Sequence, residues 1–372
     1  MKLAALALAL LAACGSSHEP VHGLPTMHLG ATIDPAKTVE TTATEVTFTA
    51  DGRTVPGTII APTTVGPWPA VVLLAGSGPT DRDWNSPLIP TKNGSGKLLA
   101  EELAKHGAVV LRFDKAGTGT NTGPTTADQW TLDMYRAEGL AAIDVVLARP
   151  DVRKDAVFVA GHSEGGLHAT RVALMAGKKL AGVIYLSSAA RTMADTVLTQ
   201  VDNQLHNPLT GLTKEQADKE SAMMRAAMAD YVAGKHVDPA TASTLPPLQA
   251  MFTSFNAQGA QQLVRSLMGF DNAKAVKDLA VPALVVNGAK DVQVDPEIDA
   301  KYLADSIKAA GHDVTLHISP DSDHVLKTDT HPIAWIRDHL QESQDGYNAD
   351  GRVLDPDVAR AVETWIQAHA PT

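Results

Sequence analysis

Short, dense apolar runs alternate along this chain with longer segments whose apolar residues recur every three or four positions. The runs predict strands near Glu45 to Thr49, Arg53 to Ala61, Ala70 to Ala75, Ala108 to Phe113, Ala156 to Ala160, Gly182 to Leu186, Ala283 to Asn287 and Val314 to Ile318. Between them, Leu98 to Lys105, Leu132 to Leu147, Glu164 to Met175, Asp299 to Ala309 and Asp357 to Ala368 carry the helical spacing. Asp51-Gly52 separates the first two strands and is a hairpin signal. The later alternation predicts an α/β fold, a mostly parallel eight-stranded sheet with helices on both faces and ligands bound beyond its C-terminal edge.

The alternation stops between Ala190 and Phe270, a stretch without a strand that separates two runs expected to be neighbours. A helical cap over residues 191–270 is expected there, between core segments 43–190 and 271–372. Thr213 with Gln216 fits a capping box, and Met224, Met228 and Tyr231 form a stripe at helical spacing. With Phe252 and Phe255, the methionines Met224 and Met228 are candidate lining for an acyl or alcohol pocket, the plainer expectation for any single one being that it packs the cap.

The N-terminus has a different pattern. Lys2 precedes an apolar run from Leu3 to Ala13 that is too short to span a bilayer and reads as a cleaved signal peptide over residues 1–13. Leu11-Ala12-Ala13-Cys14 resembles a bacterial lipobox, which implies a lipid on Cys14, the only cysteine of the chain, and a polar tether over residues 14–42. Gly15 rather than Asp follows, which favours the outer membrane in a source that has one. His18, His22 and His28 lie in this tether without acidic or cysteine companions, so no metal site is expected. At 372 residues, 44% hydrophobic and 20% charged, the chain suits one large domain with an insertion. Its net charge of -11 disfavours nucleic acid or an anionic membrane surface as partner. Oligomeric state is left open.

Gly161-His162-Ser163-Glu164-Gly165 lies directly after one buried run and before a helical segment. A strand, a G-x-S-x-G turn and a helix start form the setting in which a strained turn lifts a serine hydroxyl clear of the sheet, with the first free amides of the helix beside it. Such a serine needs a histidine base, and the histidine an acid. Asp291 stands in the turn after the Ala283 to Asn287 run, and His324 on the loop after Val314 to Ile318, so Ser163, Asp291 and His324 follow the chain order of this fold. Asp323 is the rival acid, disfavoured because it adjoins His324 in sequence.

These segments are similar to those of the α/β-hydrolases from about residue 44 to the C-terminus. Ala70 to Pro79 resembles the family's strand and oxyanion loop, with Ala75 where a histidine is usual, and the resemblance implies oxyanion donors in the amides of Ser77 and Glu164. His106 to Gly119 resembles the next helix end, strand and glycine turn. Gly76 to Pro79, Asp81 to Asp83, Asn85 and Phe270-Asp271 resemble a subgroup of bacterial esterases. Hydrolysis of short-chain carboxylic esters through an acyl-enzyme, without cofactor or metal, is the activity implied. An aminopeptidase or amidase of the same fold, with Glu164 binding a substrate amine, and a non-catalytic lipid-anchored binding protein stay open. Arg82 is expected to pair with Glu164, with Arg112 as the alternative.

Overall fold

The computed structural model describes residues 38–88, 92–257, 259–349 and 351–370. Cys14, the expected signal peptide and most of the expected tether lie outside them. Eight strands form one sheet: β1 (Thr41–Ala50), β2 (Arg53–Pro62), β3 (Trp68–Leu74), β4 (Val109–Phe113), β5 (Val152–His162), β6 (Gly182–Leu186), β7 (Ala283–Gly288) and β8 (Val314–Ser319), in the order β1-β2-β4-β3-β5-β6-β7-β8. The pairs β1/β2 and β2/β4 are antiparallel and the rest are parallel. Asp51 and Gly52 both take positive φ, 48° and 74°, which suits the right-handed twist of the β1/β2 hairpin. That hairpin starts at Thr41, two residues inside the expected tether, and Val39 N–H donates to the Lys105 carbonyl at 2.9 Å.

The helices are α1 (Ser95–Lys105), α2 (Leu132–Ala148), α3 (Glu164–Ala176), α4 (Met193–Leu205), α5 (Lys214–Val232), α6 (Pro239–Ala242), α7 (Pro246–Phe255), α8 (Gln261–Met268), α9 (Asn272–Ala275), α10 (Lys301–Ala309), α11 (Ile333–Asp338), α12 (Leu340–Asp345) and α13 (Pro356–His369). Because successive strand residues point to opposite faces, each central strand feeds two cores. Val72, Val159 and Val285 meet Ile143, Val172 and Ile307 of α2, α3 and α10. Val71, Phe158 and Val286 meet Leu99, Val362 and Trp365 of α1 and α13 on the other face.

β6 and β7 are register partners, Val183 opposite Ala283, although the segment carrying α4 to α8 lies between them in sequence. That segment has a hydrophobic cluster of its own, joined to the core through Leu132, Leu167 and Ala189. These three sit at the starts of α2 and α3 and just past β6, so the helical insertion rests on the C-terminal edge of the sheet. Its longest helix begins with the expected capping box: Gln216 N–H donates to Thr213 Oγ1 at 3.2 Å, and Thr213 N–H to Gln216 Oε1 at 2.8 Å.

Candidate active site

Ser163 stands between β5 and α3 with φ 53° and ψ −123°, a conformation costing a non-glycine residue about 1–3 kcal/mol. The turn closes that tightly because its neighbours lack side chains. A Cβ on Gly161 would lie 2.1 Å from the Gly165 carbonyl oxygen, and one on Gly165 would lie 2.5 Å from that of Leu74. Ser163 N–H donates to the Leu186 carbonyl at 2.9 Å, which ties the turn to β6. Glu164 opens α3, so its N–H is among those without an intrahelical partner. The Gly76-Ser77 turn after β3 passes directly beside it: a Cβ on Gly76 would sit 3.4 Å from Ser163 Cβ.

Asp291 and His324 come from the loops after β7 and β8, which are laced together. Ala289 N–H donates to Ser319 O at 2.8 Å and Lys290 N–H to Ser322 O at 3.0 Å. His324 Nδ1 then reaches Asp291 Oδ2 at 2.9 Å. The second oxygen, Oδ1, accepts from Gln293 N–H at 2.8 Å and Val294 N–H at 2.9 Å, so the buried carboxylate is fixed from both sides. An acceptor at Nδ1 places the ring proton there and leaves Nε2 as the basic nitrogen. Asp323, the rival acid, has a different task. Its Oδ1 accepts from Val325 and Lys327 N–H, and its Oδ2 meets Arg352 at 2.8 Å, so it shapes the loop that carries His324.

Three residues of this site escaped the sequence reading. His162 donates through Nε2 to the His324 carbonyl at 2.7 Å, its ring 5.0 Å from that of His324 and stacked on Trp84 at 4.8 Å. Burial, with the neighbouring His324, pushes the His162 pKa down to about 3, so the ring is neutral. Trp84 is presented by the turn that Asp81 forms on accepting from Asp83 and Asn85 N–H, each at 2.9 Å. Lys115 is the third. It follows β4, is buried, donates to the Gly76 carbonyl and lies 3.7 Å from Glu164 Oε1.

Lys115 also corrects the expected partner of Glu164. Arg82 turns away to Asp114 at 2.9 Å and Glu45 at 2.6 Å, and Arg112 pairs with Asp83. Glu164 meets Lys115 and accepts from His168 Nε2 at 3.1 Å. Burial alone would raise the Glu164 carboxyl, but Lys115 and His168 outweigh it and hold the group below its usual range. The candidate pocket residues are displaced as well. Met224, Met228, Phe252 and Phe255 are at most 1% exposed, inside the cap cluster, with Tyr231 against Phe255 at 5.2 Å and Phe252 against Phe255 at 5.6 Å. They pack the cap and offer no surface to a ligand. At the opposite edge of the sheet, Glu102, His106 and Glu363 gather within ligating reach of one another. His106 Nδ1 is engaged there by the Glu102 carbonyl at 3.1 Å and Glu363 at 2.9 Å.

The model of a family described as Alpha/beta hydrolase family matches residues 71–338. Esterase EstD of Thermotoga maritima is 28% identical over 253 residues, 67% of this chain and 53% of the relative, so the chain spans about half the length of that curated protein. Among solved structures, proline iminopeptidase of Mycobacterium smegmatis superposes with a TM-score of 0.54 at 17% identity, covering 88% of this chain and 99% of the other. Esterase rPPE does so with 0.50 at 16%, covering 92% and 86%. Likeness at such identities speaks to the fold alone. With the eight-stranded sheet, the strained serine turn and a family match over more than half its length, the chain belongs to the alpha/beta hydrolase family.

Proposed function

We propose that this hydrolase is a serine carboxylesterase acting on short-chain carboxylic esters through an acyl-enzyme. The observation that carries the reading is the Asp291–His324 hydrogen bond, 2.9 Å, in a loop that His162, the residue before the positive-φ serine, holds by donating to the His324 carbonyl at 2.7 Å. Ser163 attacks the ester carbonyl while His324 Nε2 takes its proton, and Asp291 steadies the imidazolium. The amides of Ser77 and Glu164 receive the oxyanion. His324 returns the proton to the departing alcohol, and water repeats the sequence to release the acid. The esterase likeness in Thermotoga maritima supports the ester class. An amine-binding role for Glu164 is disfavoured because Lys115 and His168 already engage its carboxylate. The test is hydrolysis of a short aryl ester beside an aminoacyl anilide. The ester is expected to be turned over faster, in a manner abolished by Ser163→Ala; a faster anilide reaction would reassign the enzyme to the peptidases.

The lipobox-like Leu11 to Cys14 supports a second proposal, export and anchoring to a bacterial cell envelope by a lipid on Cys14. Intact mass spectrometry of the protein from its host is expected to show a lipidated N-terminus that Cys14→Ala loses. Recovery of unlipidated wild-type protein would refute the anchor.

A further inference from the structure

The groups beneath the oxyanion donors are tied together by one side chain. Lys115 enters from the end of β4, and its ammonium donates to the carbonyl of Gly76. That carbonyl and the Ser77 N–H belong to the same peptide unit, which is planar, with the C=O and N–H pointing opposite ways. A donor fixed on the oxygen therefore fixes the direction of the N–H on the far side. The ammonium is also 3.7 Å from the carboxylate of Glu164, the residue whose own N–H is the second donor, and lies 5.6 Å from the centre of the Tyr135 ring. Glu138 lines the same buried region, where it accepts from Ala116 N–H at 3.0 Å and Asn121 Nδ2 at 3.1 Å. A buried lysine is costly unless paired and hydrogen-bonded, and this one is both.

We propose that Lys115 is a positioning residue for the oxyanion hole: held by Glu164, it clamps the Gly76–Ser77 peptide so that the Ser77 N–H faces the space beside Ser163. The role is distinct from neutralising Glu164, because the Lys115 ammonium makes a second contact, to the Gly76 carbonyl, that charge balance alone would not require. It rests on the serine esterase reading for its substrate, but not for its chemistry, since any tetrahedral adduct at Ser163 carries an oxygen that needs the same donors.

The test compares Lys115→Met, Glu164→Gln and the double variant, which leaves no buried carboxylate unpaired and so keeps the test alive should Lys115→Met fail to fold. Two readings are taken: kcat and KM on a short aryl ester, and the rate of covalent labelling by a fluorophosphonate. Losing one oxyanion donor outright costs about 100- to 1,000-fold, so misdirecting it is expected to lower kcat and labelling by about 10- to 100-fold. KM is expected to stay within about threefold, because the donors act on the transition state. The double variant is expected to be as slow as Lys115→Met. Recovery of the Glu164→Gln rate in the double variant would show that Lys115 only balances Glu164, and would overturn the proposal. A wild-type protein that labels quickly but hydrolyses no ester would sink the esterase reading and leave Lys115 to be judged on labelling alone.

Discussion

At the scale of single residues, the site separates two neighbouring carboxylates by what each accepts. Asp291 faces the imidazole and Asp323 faces backbone amides and Arg352. Asp291→Asn is therefore expected to cost about 10⁴ in kcat on an aryl ester, through the wrong imidazole tautomer. Asp323→Asn is expected to cost about 1–3 kcal/mol of stability through weakened loop anchoring, while kcat per folded molecule is kept. Steady-state kinetics with denaturant melts check both, and the reverse pattern would exchange their roles. His162 adds a pH signature. Its pKa is depressed to about 3, so between there and its ordinary value the unfolded chain binds the extra proton and stability falls as pH falls. The contribution is whole above about pH 6.5 and is lost below it by at most about 1.4 kcal/mol per pH unit. His162→Gln is expected to flatten that slope in melts from pH 7 to 4; an unchanged slope would mean that His162 takes up its proton in the fold. Chain order puts Asp291 and His324 each just past a strand, and the structure brings the two within a hydrogen bond. His162, Trp84 and Lys115 stayed hidden because their roles depend on where side chains point. Arg82 departs from its expected pairing with Glu164 for the same reason, since the Asp81 turn sends it to Asp114.

At the scale of elements, all eight expected strands form within a few residues of their apolar runs, since buried parallel strands need unbroken apolar sequence. The serine turn was legible too, through its glycines. Gly161→Ala would drive a methyl into the Gly165 carbonyl oxygen, and backbone cannot yield as a side chain can. That change is expected to cost about 4 kcal/mol or more, or to leave no soluble protein; a melt within about 1 kcal/mol of wild type would mean that the turn is looser than this structure. The break in strand alternation between Ala190 and Phe270 was legible and is filled by helices, but the interior of that insertion was not legible. Helical spacing marks the buried face of Met224 and Met228 without saying whether a ligand or another helix covers it. Phe252→Ala is expected to destabilise by about 3–5 kcal/mol, with KM changing by less than about threefold. A large rise in KM at unchanged stability would restore the pocket role.

At the scale of the whole molecule, the sheet gathers three loops from β5, β7 and β8 at one edge, with the turn after β3 against the serine. Residues far apart in sequence thus meet because parallel strands all end on the same side. The helical insertion over that edge exposes charged residues such as Lys214, Glu215 and Lys219 and closes its apolar residues inward, so under the proposed esterase function a modest pocket is expected rather than a lipid-binding face. Each added methylene of an acyl chain gains about 0.8 kcal/mol only while room remains. kcat/KM across p-nitrophenyl esters is accordingly expected to peak at short acyl chains; a maximum at palmitate, or activation on lipid droplets, would indicate a lipase.

The central claim, that Ser163 is the nucleophile and His324 with Asp291 its activating pair, is met most directly by mapping a fluorophosphonate adduct with peptide mass spectrometry. The adduct is expected on Ser163 alone, forming quickly in wild type and several orders of magnitude more slowly in His324→Ala and Asp291→Asn. Ester turnover that persists with Ser163 unlabelled, or labelling indifferent to His324, would contradict it.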